Sequence, residues 1–381
     1  HLNYLLENGY AYKCYLLPEE LSQIRKKAEG LKKGAKYIRN QLRSHSINKT
    51  SDRTKYVVRL KVPDNEAVSF NDKVRGLIKI QSNEIDDQIL MKTDGFPTYH
   101  LANVVDDYEM GVTHVIRGEE WLSSTPKHIL IYSALGFNCP EFAHLPLLLN
   151  SDKTKLSKRQ GDVSVDDFLE KGYMPEALIN FISLLGWHPE HENEILSIKE
   201  LIKSFSLKRV QKGGAVFDID KLNWLNSQYI KQLTFDEFIK QSKKYFPKYA
   251  IADSIKSEKI FNVIKNRIKT FSELDTEMAM FYNKLSFDSE DWELLSSKSN
   301  VSIFMYWRDY LLKIDEIDKE VIGVLLKNTE QKFKIKGKDL FFPIRLCLYG
   351  DVHGPSIPEI CNIIGKKDLL SRLDRSINHG K

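Results

Sequence analysis

Four basic residues fall within seven positions in the stretch LLLNSDKTKLSKRQGDVSV, Leu147 to Val165: Lys153, Lys155, Lys158 and Arg159. Ser157 and Gly161 sit among them. Leu147-Leu148-Leu149 predicts a buried strand that ends at Asn150-Ser151-Asp152. Lysine heads on a loop after a strand can swing onto a polyphosphate and neutralise charge developing at phosphorus. The same string is also the composition of a solvated basic turn, and alone it favours that reading.

Two further segments carry side chains suited to a small polar ligand. In DGFPTYHLANVVDDYEMG, Tyr99 and Asn103 are four apart and share a helix face near its amino end, which favours anions. A surface tyrosine beside a capping amide would look the same. In HVIRGEEWL, Arg117 follows a β-branched strand and precedes Gly118, so its guanidinium can emerge at a sheet edge and pair a carboxylate bidentately. Glu119 and Glu120 open the next element, where acidic residues also serve as first-turn charges. Trp121 is more often core than function. The three segments point at one crevice, and their convergence outweighs any one string.

The elements that must position them follow from periodicity. Pro18-Glu19-Glu20 opens a helix with apolar Leu21, Ile24, Ala28 and Leu31. Tyr56–Val62 predicts a strand ended by Pro63, and Ile89–Met91 another, ended by Asp94-Gly95. Pro97 predicts a helix to Glu109 with Gly111 as its stop. A strand over 113–116, a helix from Thr125-Pro126 closed by Gly136, and a strand from Phe142 to Leu149 complete the pattern of a parallel α/β sheet. Ligands bind beyond the carboxyl ends of such strands. Arg117-Gly118 falls at one such end and the basic loop at another. From about residue 166 the pattern is mostly helical. Ile260, Val263, Ile264 and Ile268 form an apolar stripe beside Lys259, Lys265, Arg267 and Lys269. Lys332, Lys334, Lys336 and Lys338 alternate with other residues in KFKIKGKDLFFPIRL.

With 381 residues the chain predicts two to four domains, and its formal charge of +5 permits an anionic partner. No apolar run approaches the ~20 residues that span a bilayer. Cys14, Cys139, Cys347 and Cys361 are scattered, which suggests a reducing compartment and no disulfide framework. No signal peptide is visible, and His1 suggests a start that has been cut.

KTDGFPTYHLANVVDDYEMGVTHVIRGEEWLSSTPKH, FAHLPLLLNSDKTKLSKRQGDVSV and GYMPEALINFISLLGWHP closely resemble glutamyl-tRNA synthetases of the bacterial and organellar kind. GGAVFDIDKLNWLNSQYI and FFPIRLCLYGDVHGP resemble later parts of that family, so the resemblance covers essentially the whole chain. Lys155-Leu156-Ser157-Lys158-Arg159 resembles the second signature of class I synthetases, a loop that holds the ATP triphosphate. The resemblance implies attachment of L-glutamate to tRNA-Glu through a glutamyl-adenylate, with ATP and Mg²⁺ as the substrate complex. It assigns glutamate to Tyr99, Asn103 and Arg117. It assigns ATP to Glu120, Leu148 (through its backbone), Lys155, Leu156, Ser157, Lys158 and Arg159, with Lys155 and Lys158 catalytic. It implies a partial Rossmann-like α/β catalytic domain with an inserted α+β connective domain, followed by all-α stem-contact and anticodon-binding domains. The expected bounds are 1–95 for the connective domain, 96–160 for the second half of the catalytic domain, 161–235 for the stem-contact region and 236–381 for the anticodon-binding domain. A monomer in the bacterial cytoplasm is expected, with mitochondrial matrix or plastid as the alternative.

Two departures from the family pattern stand out. Some relatives hold zinc through a Cys-x-Cys in the connective domain. Here YAYKCYLL keeps Cys14 but has Leu16 in the second place, so no zinc and no other metal is expected. The family's first ATP signature, His-x-Gly-His, is absent, so the sequence reads as starting inside the catalytic domain. That absence keeps open a catalytically inactive, synthetase-derived tRNA-binding protein. A non-discriminating enzyme that also charges tRNA-Gln is open as well. The short relative that glutamylates a tRNA base lacks a helical anticodon-binding part, and glutaminyl-tRNA synthetases carry β-barrels there. Neither fits a helical pattern after residue 236.

Overall fold

The structure, a computed structural model, describes residues 1–47, 54–156, 164–251, 254–282 and 285–379. Contacts divide it into two units. One comprises His1–Leu156, Ser183–Glu194 and Lys199–Phe217, and the other the remaining described residues.

The first unit opens with α1 (Leu2–Glu7), β1 (Ala11–Cys14), α2 (Pro18–Gly30) and α3 (Ala35–Ile47). Pro18 begins α2, where its missing N–H costs nothing, and Glu20 accepts the Leu17 amide at 2.8 Å. β2 (Val57–Leu60) lies between β1 and β5 (Ile89–Met91), antiparallel to both. Two arginines pin α3 to this region. Arg39, fully buried, reaches Asp64, and Arg43 forks onto the buried carboxylate of Asp87 at 2.8 Å through both Nε and Nη2.

The second sheet contains a hairpin that the periodicity reading did not assign. β3 (Ala67–Asp72) and β4 (Gly76–Gln81) pair antiparallel, and β3 alternates exposed Ala67, Ser69 and Asn71 with buried Val68, Phe70 and Asp72. A carboxylate in the third inward place obscured an otherwise regular strand pattern. β6 (His114–Gly118) and β7 (Glu141–Leu145) are parallel, as expected, with Arg117 opposite His144. The strand order is β4-β3-β7-β6, and β3 meets β7 by a single parallel bridge, Asp72 to Phe142. The sheet is therefore mixed, and the hairpin before residue 95 is hydrogen-bonded to a strand after it.

α4 (Tyr99–Glu109) starts two residues later than Pro97 suggested, because Pro97 bridges Met91 and the Thr98 hydroxyl donates to the Ile89 carbonyl at 2.6 Å. After β6 the chain makes a short 3-10 helix, Glu119–Ser124, and only then α5 (Thr125–Leu135), which Gly136 closes at φ +69°. The predicted strand from Phe142 to Leu149 is two strands. Pro146 cannot supply a ladder N–H. Beyond it β8 (Leu148–Leu149) leaves the sheet and pairs in parallel with β9 (Ala215–Val216). Leu148 is 38% exposed, so the strand that feeds the basic loop is not buried.

The second unit is helical throughout its described residues. Ile260, Ile264 and Ile268 are fully buried, while Lys259, Arg267 and Lys269 are exposed. Trp307 sits in the same core, its indole N–H on Thr329 Oγ1 at 2.9 Å. Lys332, Lys334, Lys336 and Lys338 are exposed where helix Lys319–Phe333 passes to helix Lys338–Tyr349. No helix among the described residues is long and apolar enough to cross a membrane.

Gly172 tests how tightly this unit is built. Its φ is +82°, its carbonyl accepts the Phe271 amide at 3.0 Å, and an added Cβ would lie 2.6 Å from the backbone nitrogen of Ser272. Gly323 lies within a helix with nothing near its Cβ position. Gly172→Ala should destabilise the helical unit by about 2 kcal/mol or more. Gly323→Ala should stabilise it by about 0.5–1 kcal/mol. Urea midpoints of far-UV circular dichroism check both, and equal midpoints for the two variants would contradict this account.

Candidate active site

Arg117 is the centre of a polar cluster in the first unit. Its Nε donates to His144 Nε2 at 3.1 Å and its Nη2 to Thr125 Oγ1 at 2.9 Å. Nη1 and Nη2 share His128 Nδ1 at 3.3 Å each, and Nη1 reaches the Tyr99 hydroxyl at 3.5 Å. β6 supplies the arginine, β7 His144, α5 Thr125 and His128, and α4 Tyr99.

All these acceptors are neutral. Burial pushes His128 down to about 3, with the Arg117 charge acting the same way. Its Nδ1 therefore accepts from Arg117, and its Nε2 faces His100 Nδ1 at 2.9 Å. His100 is also lowered by burial. Among the described residues no carboxylate forms an ion pair with Arg117. Asp107, raised by burial, is near enough for Arg117 to oppose that rise, yet its hydrogen bond is to Asn103 Nδ2 at 3.5 Å.

The fork geometry differs from the bidentate pairing expected of Arg117. Nε and Nη2 are committed to His144 and Thr125, which leaves Nη1, with its two longer contacts, as the arm with capacity. Tyr99 is 46% exposed, packs on Trp121 at 4.5 Å between centroids, and accepts from Arg117, so its own proton is free for a ligand oxygen. Asn103 Oδ1 is buried and has no partner among the described residues. Tyr99 and Asn103 lie one turn apart on α4, on the same helix face.

The basic loop begins as a tight turn. Asp152 Oδ1 accepts from the Thr154 amide at 2.9 Å and hydroxyl at 2.6 Å, Lys153 adopts φ +65°, and the Leu156 amide returns to the Leu148 carbonyl at 2.9 Å. The Leu148 backbone, expected to lie on the ATP side, has its carbonyl engaged as an acceptor within the turn. Lys155 emerges from it and pairs with Glu120 at 3.6 Å, both exposed. Ser157, Lys158 and Arg159 lie outside the described residues.

Tyr99 and Arg117 therefore come together, Asn103 joins them by sharing Tyr99's helix face, and Glu120 joins Lys155. Periodicity and motif reading missed His128, Thr125, His144 and Asp72. The available signal was a histidine inside each of two apolar elements, HILIY and FAHL. Trp121, set aside as core, forms part of the wall.

The chain matches a family described as tRNA synthetases class I (E and Q), catalytic domain, over residues 1–224, and an anticodon binding domain over residues 236–377. It is 40% identical to a glutamate–tRNA ligase of Clostridioides difficile over 98% of this chain and 78% of that protein. It is also 40% identical to one of Alkaliphilus metalliredigens, over 100% of this chain and 79% of that protein. A crystal structure of a glutamate tRNA ligase from Elizabethkingia meningosepticum, in complex with its amino acid, superposes with a TM-score of 0.82 at 33% identity, covering 99% of this chain and 81% of that one. With this likeness over nearly its whole length, the chain belongs to the class I tRNA synthetases of the glutamate and glutamine group.

Proposed function

We propose that the chain attaches glutamate to tRNA, activating it first as glutamyl-adenylate at the expense of ATP. The observation that carries this reading is the Arg117 guanidinium. It is oriented by neutral acceptors and has no carboxylate ion pair among the described residues, so an anionic substrate group completes it. Tyr99 and Asn103 supply the hydrogen bonds that distinguish a small amino acid from a simple anion. Arg117 acts by binding and orientation, since a guanidinium does not give up its proton.

Mg²⁺-ATP enters as substrate and brings its own leaving group. Lys155 leaves Glu120 to meet phosphate oxygens, and Lys158 neutralises the charge that builds as pyrophosphate departs. Glu120, Leu156, Ser157 and Arg159 complete the ATP side, with the Leu148 backbone. Residues 1–95, 96–160, 161–235 and 236–381 then divide the work into acceptor-end binding, chemistry, stem contact and anticodon binding. The exposed lysines between 332 and 338 meet tRNA phosphates, which position without specifying sequence. A cytoplasmic monomer fits this reading. Aminoacylation with glutamate, run on tRNA-Glu and tRNA-Gln in parallel, tests it and also decides whether both tRNAs are charged.

Three outcomes are expected. Arg117→Lys places a point charge where a planar fork was held, so the KM for glutamate should rise by about tenfold or more while tRNA affinity stays near that of the parent. Unchanged glutamate kinetics would remove Arg117 from the pocket. Lys158→Ala should lower the adenylation rate by ~100-fold with a smaller effect on ATP affinity, as for loss of one preorganised electrostatic donor. Pyrophosphate exchange with tRNA present measures it. For tRNA binding, Lys332→Ala with Lys336→Ala should reduce the slope of log Kd against log salt by roughly one to two. A parent slope in the double variant would move the phosphate contacts elsewhere.

A further inference from the structure

A buried acid–base pair lies directly behind Arg117, and the proposed chemistry does not call on it. Asp72 ends β3, His144 lies in β7, and both side chains are fully buried. His144 Nδ1 is 2.6 Å from Asp72 Oδ2, and the His144 backbone amide donates to the same oxygen at 3.1 Å. Asp72 Oδ1 accepts the amides of Val74 at 3.0 Å and Arg75 at 2.8 Å. Burial alone would raise this carboxyl's pKa. The hydrogen bonds from His144 and from the Arg75 and Val74 amides outweigh it and hold Asp72 below the usual carboxylate range.

His144 is lowered as well. Burial lowers it, against the upward pull of Asp72, and Arg117 and Arg75 add to the lowering. A neutral imidazole whose Nδ1 faces an ionised carboxylate carries its proton at Nδ1. Nε2 is then a lone pair, and it faces Arg117 Nε, which can only donate. The hydroxyl of Thr125, 3.0 Å from the same Nε2, accepts from Arg117 Nη2. The tautomer of His144 thereby decides which edge of the guanidinium faces inward.

The hairpin is shaped to deliver this carboxylate. Gly76 takes φ +82°, closing the turn on which Asp72 caps two amides. From the same turn Arg75 pairs with Glu119 at 2.5 Å, two residues beyond Arg117. One turn therefore holds the Arg117 segment at two points.

We propose that Asp72 is a positioning residue for the amino-acid substrate: by fixing the Nδ1–H tautomer of His144 it turns Arg117 so that Nη1, beside Tyr99, meets the substrate carboxylate. This rests on the reading that Arg117 binds glutamate.

Asp72→Asn discriminates this role from simple packing. The amide oxygen keeps the Val74 and Arg75 amides and takes the His144 backbone amide, which already lies 3.3 Å from Oδ1, and the amide nitrogen lands against the His144 ring. It then donates into Nδ1 and moves the ring proton to Nε2, where it opposes the Arg117 N–H. In the active protein, the expected result is a glutamate KM raised by about tenfold, with the KM values for ATP and tRNA within about twofold of the parent. A parent glutamate KM, or an equal loss in every constant, overturns the proposal. Arg117→Lys is assayed alongside. If it too leaves glutamate KM unchanged, the assignment of Arg117 has failed; if only Asp72→Asn does, the positioning role alone has failed. Should Asp72→Asn not fold, long-range ¹H–¹⁵N spectra of the histidine-labelled parent decide: a neutral His144 protonated at Nδ1 sustains the proposal, and protonation at Nε2 overturns it.

Discussion

A positive charge that is partly removed from water and has no carboxylate ion pair is costly to maintain, and among the described residues Arg117 is in that position. Proteins usually resolve the cost with a carboxylate partner. Here two neutral imidazoles, a threonine hydroxyl and a phenol surround the guanidinium. They satisfy its N–H groups without cancelling its charge. Much of the first unit follows from that constraint. The parallel β6–β7 register sets His144 opposite Arg117, α5 presents His128 and Thr125, and burial keeps His128 in the form that can accept. A site built this way has unspent attraction for an anion and a fixed direction for it, which is what electrostatic preorganisation requires.

The proposed ATP side is held more loosely, as its chemistry would require. Lys155 and Glu120 form an exposed ion pair at 3.6 Å, the sort that contributes little to stability. It is cheap to break. The lysine can rest on Glu120 and still transfer to a more highly charged phosphate. The turn beneath it is firmer, because Asp152 and Thr154 satisfy one another and Lys153 accepts a left-handed backbone to close it. A fixed base with a releasable head suits a group that must follow charge as it moves during the reaction.

Much of this was legible from residue types alone. Pro18, Thr125-Pro126 and Gly136 marked helix ends because their backbone preferences act locally, and the Arg117 and basic-loop segments stood out because their charges fall beside apolar strands. The β3–β4 hairpin was not legible. Its third inward residue is Asp72, whose burial makes sense only once His144 from a distant strand is placed beside it. His128 and His144 were hidden for the same reason: a histidine in an apolar run looks like core until its hydrogen-bond partners are known. The break at Pro146 was written in the sequence, yet the apolar residues on both sides suggested one continuous strand. Pairing partners distant in sequence decided each of these cases, and no local window contains them.

The two kinds of positive charge in the chain answer to different physics. The lysines at 332, 334, 336 and 338 are exposed, so their fields are cut off within about 8 Å at physiological ionic strength. Charges of this kind act on a polyanion by number and proximity, and added salt competes with them directly. Arg117 is half-buried, packed near Trp121 and Phe142, and screened far less. On the proposed reading its selectivity comes from the direction of a few N–H groups rather than from the reach of its field. A polymer of phosphates can be held by many weak, exchangeable contacts, because losing one leaves the others in place. A single small amino acid offers only a few groups, so each contact must be fixed in advance. On the proposed reading, that requirement accounts for the buried histidines and Asp72 behind one arginine, while the lysines of the helical unit are exposed, with Lys332 lying over the Tyr306 ring at 4.0 Å.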